Sequence, residues 1–263
     1  MPTESANSAL RQKIKQRLGF YEDLGLAPFY RDRAASLSVV STIEEPTLPK
    51  AAKSASAPAS AAPSLLEPVA KISSETLLEV REDLGECTRC KLHRTRNKIV
   101  FGDGSSQAQL VFVGEGPGAD EDAQGLPFVG RAGKLLTQMI EAMGLQRRDV
   151  YICNVVKCRP PGNRQPEPDE VAACSPFLFR QLDSLQPKVI VCLGATAFQT
   201  LLQSNRSISH FRGQWLDFRG YKMLPTYHPA YLLRNPAAKA DVWKDLQKVM
   251  AELGLEVKKT KAK

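Results

Sequence analysis

Residues 109–115, QLVFVGE, lead straight into the turn GEGPG (114–118), and this junction decides the fold. A short apolar run that ends at glycine and proline suits a strand covered on both faces. Three more runs share its character: DVYICNVV (149–156), PKVIVCLG (187–194) and KMLPTY (222–227). Helical patterns alternate with them: LLEVREDLGE ahead of Cys87, AGKLLTQMIEAMG ending at Gly144, PDEVAACSPFLFRQLDSL opening at Pro168, ATAFQTLLQ, and DVWKDLQKVMAELG. Proline near a helix start and glycine just past an end are the expected punctuation. The alternation predicts an α/β domain with a central parallel sheet of about four strands, flanked by helices on both faces. Ligands of such sheets bind beyond the carboxyl ends of the strands. The polar and glycine-rich segments fall there: GEGPG after the first strand, NVVKCRPPGNR after the second and HPAYLLRNP after the fourth. Three loops meeting at one edge make a site.

Upstream of this domain the composition changes. KAAKSASAPASAAPS (50–64) contains only Ala, Ser, Pro and two Lys, too little apolar side chain to offset the entropy of ordering it. Residues 34–70 are therefore read as a disordered linker. It joins an N-terminal amphipathic helical segment (1–33) to the main domain (71–254), which a basic tail (255–263) follows. Leu10, Ile14, Leu18 and Tyr21 share one face of the N-terminal helix, which could dock on the domain or on a partner. QRLGFY within it has the outline of a sliding-clamp-binding peptide.

Charge follows the same division. Residues 1–80 hold nine Lys+Arg and nine Asp+Glu, so the remaining 27 against 19 carry the whole net charge of +8. A basic domain favours a polyanion, with nucleic acid first and an anionic membrane surface second. No apolar run approaches the ~20 residues of a membrane span, and the N-terminus shows no signal-peptide core. Cysteines at metal-ligand spacing argue for a reducing compartment, hence the cytoplasm.

Those cysteines carry chemistry. Cys87 and Cys90 form a C-x-x-C bite, and Cys158 and Cys174 lie far downstream. Soft thiolates in fours select zinc or an iron–sulfur cluster. The fifteen residues between Cys158 and Cys174 are too many for a second zinc-ribbon knuckle, so a cubane cluster stapling the domain suits the spacing better. Spacing alone leaves iron against zinc open. Cys153 and Cys192 sit inside apolar runs and read as small buried hydrophobes. The glycine-rich segment 114–133 is neither of the common phosphate loops. Pro117 and ADED interrupt a dinucleotide fingerprint, and Leu135 follows Lys134 where a P-loop needs Ser or Thr.

Together, GEGPGADED with GLPFVGRAG, NVVKCRPPGNRQPEPDE, YHPAYLLRNP and the four cysteines resemble the family 4 uracil-DNA glycosylases. These are bacterial and archaeal repair enzymes that carry a [4Fe–4S] cluster. The resemblance covers roughly residues 76–254 and leaves out the N-terminal helix, the linker and the tail. It implies a uracil-DNA glycosylase-like fold and action on uracil in single- and double-stranded DNA. The deoxyuridine is flipped out, and the bond from C1′ to N1 is hydrolysed. An abasic site remains uncut, because no lysine in the motifs is an evident Schiff-base nucleophile.

The resemblance also implies residue roles. Phe128 matches the aromatic that stacks on uracil. Asn154 matches the base-reading amide, able to accept from N3–H and donate to O4, the reverse of cytosine's pattern. His228 matches the histidine that donates to O2 and steadies the departing anion. Gly116 and Asn163 fall on further pocket positions. Family 1 enzymes have a water-orienting aspartate at the place of Gly116, so Glu115 and Glu121 become candidates to position water, with backbone carbonyls as the rival. In HPAYLLRNP, Leu232 or Leu233 would fill the space of the extruded base and Arg234 would hold phosphate. Lys157, Arg159 and Arg164 are further phosphate candidates. Cys87, Cys90, Cys158 and Cys174 would hold the cluster as a structural staple without a redox step. Two alternatives stay open: a non-catalytic iron–sulfur DNA-binding module, and a glycosylase of wider deaminated-base range.

Overall fold

The computed structural model describes residues 75–256. The expected N-terminal helix, its clamp-like peptide, the linker and all but the first two residues of the tail lie outside this range. Six strands form one sheet: β1 Asp103–Gly104, β2 Leu110–Gly114, β3 Tyr151–Asn154, β4 Val189–Leu193, β5 Leu216–Phe218 and β6 Tyr221–Thr226. Their order is β1-β3-β2-β4-β6-β5. The four central strands are parallel, with Val111 beside Tyr151, Val113 beside Cys192 and Leu193 beside Thr226. They are the four expected from the apolar runs. The edge strands β1 and β5 pair antiparallel and add to that expectation. β1 is only two residues long, and β5 reaches β6 through Arg219 and Gly220, both at positive φ (54° and 86°) as a tight hairpin requires.

Seven helices are described: α1 Leu77–Leu84, α2 Ala119–Gln124, α3 Arg131–Ala142, α4 Pro168–Leu185, α5 Ala195–Leu202, α6 Pro229–Arg234 and α7 Lys239–Leu253. Side chains alternate across each strand, so the continuous apolar runs feed two cores. Val111, Val113, Cys153, Ile190 and Cys192 pack with Leu178 and Leu182 of α4 and Phe198 of α5. Phe112, Ile152, Val191 and Leu224 pack on the other face with Leu136 and Ile140 of α3 and Leu246 of α7. Cys153 and Cys192 are fully buried members of the first core.

α1 brings the first thiol pair to the sheet. Its N-terminus is a capping box: Glu79 N–H donates to Thr76 Oγ1 at 3.2 Å, and Thr76 N–H donates to Glu79 Oε2 at 2.6 Å. Val80 and Leu84 pack on Phe177 of α4, and Arg180 of α4 forms ion pairs with Glu75 and Asp83. Cys87 therefore emerges from a helix already fixed to the helix that carries Cys174. No helix among the described residues is long and apolar enough to cross a membrane.

Candidate active site and cysteine cage

A cavity of about 360 Å³ opens where β2, β3 and β6 end. It is lined by Gly116 from the loop after β2, Asn154 at the end of β3 and His228 after β6, with Phe128, Asn163 and Arg234 around them. Five residues that the sequence scatters over a hundred positions (Gly116, Phe128, Asn154, Asn163 and His228) are thus brought to one place.

Phe128 is held in a backbone conformation bulky residues avoid, with φ at 52°. Three restraints impose it. Gly133 lies so close that a Cβ there would stand 1.9 Å from the Phe128 carbonyl carbon. Arg147 donates to the carbonyls of Phe128, at 3.0 Å, and Pro127. The Glu121 carboxylate accepts from the backbone N–H groups of Val129 and Gly130, both at 2.9 Å, and of Gly118 at 3.1 Å. Strain that surrounding bonds over-determine is typical of a functional site. The ring, 6% exposed, faces His228 with centroids 5.5 Å apart and planes tilted by 34°.

Asn154 is 1% exposed, and its Oδ1 has no hydrogen-bond partner. A buried amide oxygen left unpaired costs about 1–3 kcal/mol, which a ligand donor entering the cavity would recover. Gly114 allows this crowding: a Cβ there would come within 2.4 Å of Asn154 Oδ1 and 2.6 Å of the Phe128 ring. His228 is the N-cap of α6, and its Nδ1 accepts from the Ala230 N–H at 3.1 Å. That bond leaves the ring proton on Nε2. Burial, and then the charge of Arg234, push the imidazole down to about 4, so it is a neutral donor at physiological pH.

Several expected contacts look different in three dimensions. Glu121 lines the cavity, but its carboxylate is occupied as a strap between two loops. Glu115 stands outside the lining and accepts from the Thr196 hydroxyl. Leu232 is 1% exposed and belongs to the core between α3 and α7, so it cannot enter DNA. Leu233, 37% exposed, is the free one of the pair, beside Arg234 at the cavity wall. Lys157 is no phosphate contact either. It is 1% exposed and its amine is spent on the Asn154 carbonyl and Gln181 Oε1. The basic context of KCR gives no hint of this. Arg164 lines the cavity while bonding both oxygens of buried Glu170 at 2.8 and 2.7 Å, and Arg159 donates to Asn163 Oδ1 at 2.7 Å. Arg147, which the sequence reading does not single out, fixes the Phe128 loop.

The four thiols of Cys87, Cys90, Cys158 and Cys174 line a second, small cavity, and all six cysteines are free of disulfides. Among the described residues no three His, Cys, Asp or Glu side chains form a group able to hold a metal ion. Nitrogen donors surround the sulfurs. Arg96 Nη1 is 3.4 Å from Cys158 Sγ, Arg89 Nη1 is 3.5 Å from Cys87 Sγ, and the Lys157 N–H is 3.3 Å from Cys174 Sγ. Such donors fit negatively charged sulfur.

Comparison with known proteins agrees with this architecture. The family profile of the uracil DNA glycosylase superfamily matches residues 101–247. A type-4 uracil-DNA glycosylase of Thermotoga maritima is 52% identical over 164 residues, covering 61% of this chain and 85% of that protein. Type-4 enzymes of Saccharolobus solfataricus and Archaeoglobus fulgidus are 45% and 43% identical over 183 residues. Each alignment covers 66% of this chain, with 85% and 92% of the respective relatives. A sheet whose strand ends carry the three loops, and matches of this extent, lead to one assignment: the chain belongs to the uracil-DNA glycosylase superfamily.

Proposed function

We propose that this chain excises uracil from DNA by the chemistry its cavity is built to perform, and that the unpartnered Oδ1 of Asn154 is the observation that carries the reading. An extruded uracil between Phe128 and His228 offers its N3–H to that oxygen, and the amide nitrogen donates to O4. Cytosine presents the opposite pattern and is refused, because two buried donors or two acceptors would then face each other. As the C1′–N1 bond breaks, negative charge gathers on the uracil, and the Nε2–H of His228 is aimed to stabilise it at O2. A preorganised donor of this kind contributes about 2.7–4 kcal/mol to lowering the barrier. Water then adds to the sugar cation. Gly116 and Asn163 wall the pocket, Leu233 fills the gap left in the duplex, and Arg234 holds phosphate.

Cys87, Cys90, Cys158 and Cys174 are the residues that would hold a [4Fe–4S] cluster, which when bound supplies a rigid link between α1 and α4 and no redox step. Four thiols lining one cavity fit a thiolate-bound centre, and the family likeness favours the iron–sulfur cluster over zinc. Free thiols support a reducing compartment, the cytoplasm, where single- and double-stranded uracil-DNA is the partner. Contact with a sliding clamp is assigned to the segment 1–33, ahead of the linker 34–70, and not to this domain. The test is an end-labelled single-stranded oligonucleotide with one uracil, incubated with the protein and then treated with hot alkali. Cleavage only after alkali is expected. No cleavage by a brown protein absorbing near 400 nm would instead make this a DNA-binding module.

A further inference from the structure

Lys157 is a fully buried lysine with no carboxylate among its hydrogen-bond partners, an arrangement that costs free energy unless its N–H groups are well used. They are used on two acceptors. Nζ donates to the backbone carbonyl of Asn154 at 2.7 Å and to Gln181 Oε1 at 2.5 Å. Gln181, 0% exposed on α4, is itself fixed, donating to the Phe101 carbonyl at 3.0 Å and to the Tyr151 hydroxyl at 3.2 Å. The backbone N–H of Lys157 reaches Cys174 Sγ, which precedes Gln181 on the same helix. Two N–H bonds to two acceptors are available to an amine in either protonation state, so the arrangement does not depend on its charge.

The Asn154 side chain needs such help. Its Oδ1 has no protein partner, so no hydrogen bond at that oxygen sets the direction of the amide. Its place is fixed by its backbone at the last residue of β3 and by packing against Gly114 and Phe128. We infer that Lys157 is a positioning residue for base recognition: by gripping the Asn154 carbonyl and anchoring it to α4, it holds the base-reading amide in register with the cavity. The inference rests on the reading of Asn154 as the base-reading residue.

A double-mutant cycle in the full-length protein separates the two ideas. Lys157→Met keeps the length and apolar stem but has no donor. Single-turnover uracil excision is measured for Lys157→Met, Asn154→Ala and the double variant, along with the dissociation constant for a uracil-free oligonucleotide and absorbance near 400 nm. A displacement of about 1 Å costs on the order of 10²-fold, so Lys157→Met is expected to be about 10- to 100-fold slow. Its DNA affinity and absorbance should stay those of the parent, and the double variant should be no slower than Asn154→Ala. Multiplying losses, or a Lys157→Met variant as fast as the parent, overturns the positioning role while leaving Asn154 as reader. A parental rate in Asn154→Ala removes the reading itself. If Lys157→Met does not fold, Lys157→Gln, which keeps an N–H donor, takes its place in the cycle: losses that do not multiply support the positioning role, and multiplying losses overturn it.

Discussion

Acidification should leave excision almost untouched down to pH 5, because His228 does its work as a neutral donor. Nδ1 accepts from the Ala230 N–H, so protonating it would set two donors against each other and break the N-cap of α6. Burial opposes the cation first, and Arg234 opposes it next, bringing the imidazole to about 4 from an ordinary 6.5. At pH 5 a group titrating near 4 is about 90% neutral, whereas one at 6.5 is about 3% neutral. The two cases differ by about 30-fold in rate. Single-turnover excision measured from pH 8 to pH 4.5 decides between them. A plateau to pH 5 with the acid limb below it is expected, and a limb centred between pH 6 and 7 refutes the reasoning. Arg234→Gln removes the second cause, so its limb should move to higher pH. Stability carries the same signature. Between pH 6.5 and 4 the unfolded chain binds a proton at this residue and the native state does not, so stability falls as pH drops through that window. The loss from this group between pH 7 and pH 4.5 is about 2.4 kcal/mol, read from urea unfolding at the two pH values.

Five other perturbations probe the remaining parts. Gly114→Ala places a methyl 2.4 Å from Asn154 Oδ1 and 2.6 Å from the Phe128 ring, so excision should fall about 100-fold; a parental rate in a kcat assay would sink the account of the pocket floor. Leu232→Ala should cost about 2–5 kcal/mol of stability. Leu233→Ala should leave the melting temperature alone and weaken duplex more than single-strand binding, and the reverse pattern would exchange their roles. Asn154→Asp changes the donor pattern and should admit cytosine; strict uracil selectivity in a paired C and U excision assay contradicts the reading role. Cys87→Ser should lower the melting temperature and DNA affinity before it affects the chemical step, so a stable variant with normal affinity and no turnover argues against a structural cage.

The parallel core is legible because a strand covered on both faces has to be apolar throughout, and Leu110–Gly114, Tyr151–Asn154 and Val189–Leu193 are buried at every position. The edge strands give no such signal, since a two-residue pairing at Asp103–Gly104 carries no periodicity. α2 and α6 are six residues each, too short to show a helical period, and glycine and proline around them read as loop. Among site residues, Phe128, Asn154 and His228 stand at one cavity because each follows or ends a central strand and those four strands point one way. Burial cannot be read at single-residue scale. Leu232 and Leu233 are neighbours of one chemistry, and only the helical turn between them sends one to the core and the other to solvent. Lys157 is hidden for a related reason: a lysine in a basic motif looks solvated until a carbonyl and an amide are found to satisfy it.

On the proposed reading, the division of labour in the cavity follows from when each contact gains strength. Stacking on Phe128 acts on the uracil ring alike before and during bond cleavage, so it supplies affinity and little acceleration. The His228 N–H meets an oxygen whose charge grows only as N1 departs, so its contribution appears in the rate. Asn154 stands between these, since its bonds select the base and also hold O2 against His228. Neither glutamate has an equivalent opportunity at the sugar: Glu121 is committed to three backbone N–H groups, and Glu115 to Thr196. Both glutamates are thus engaged within the protein, and on the proposed reading the barrier is lowered chiefly from the leaving-group side. Such a site needs the base placed accurately more than it needs a strong base catalyst. That requirement accounts for a phenylalanine forced to positive φ, an amide left unsatisfied and a histidine kept neutral by burial and the charge of Arg234.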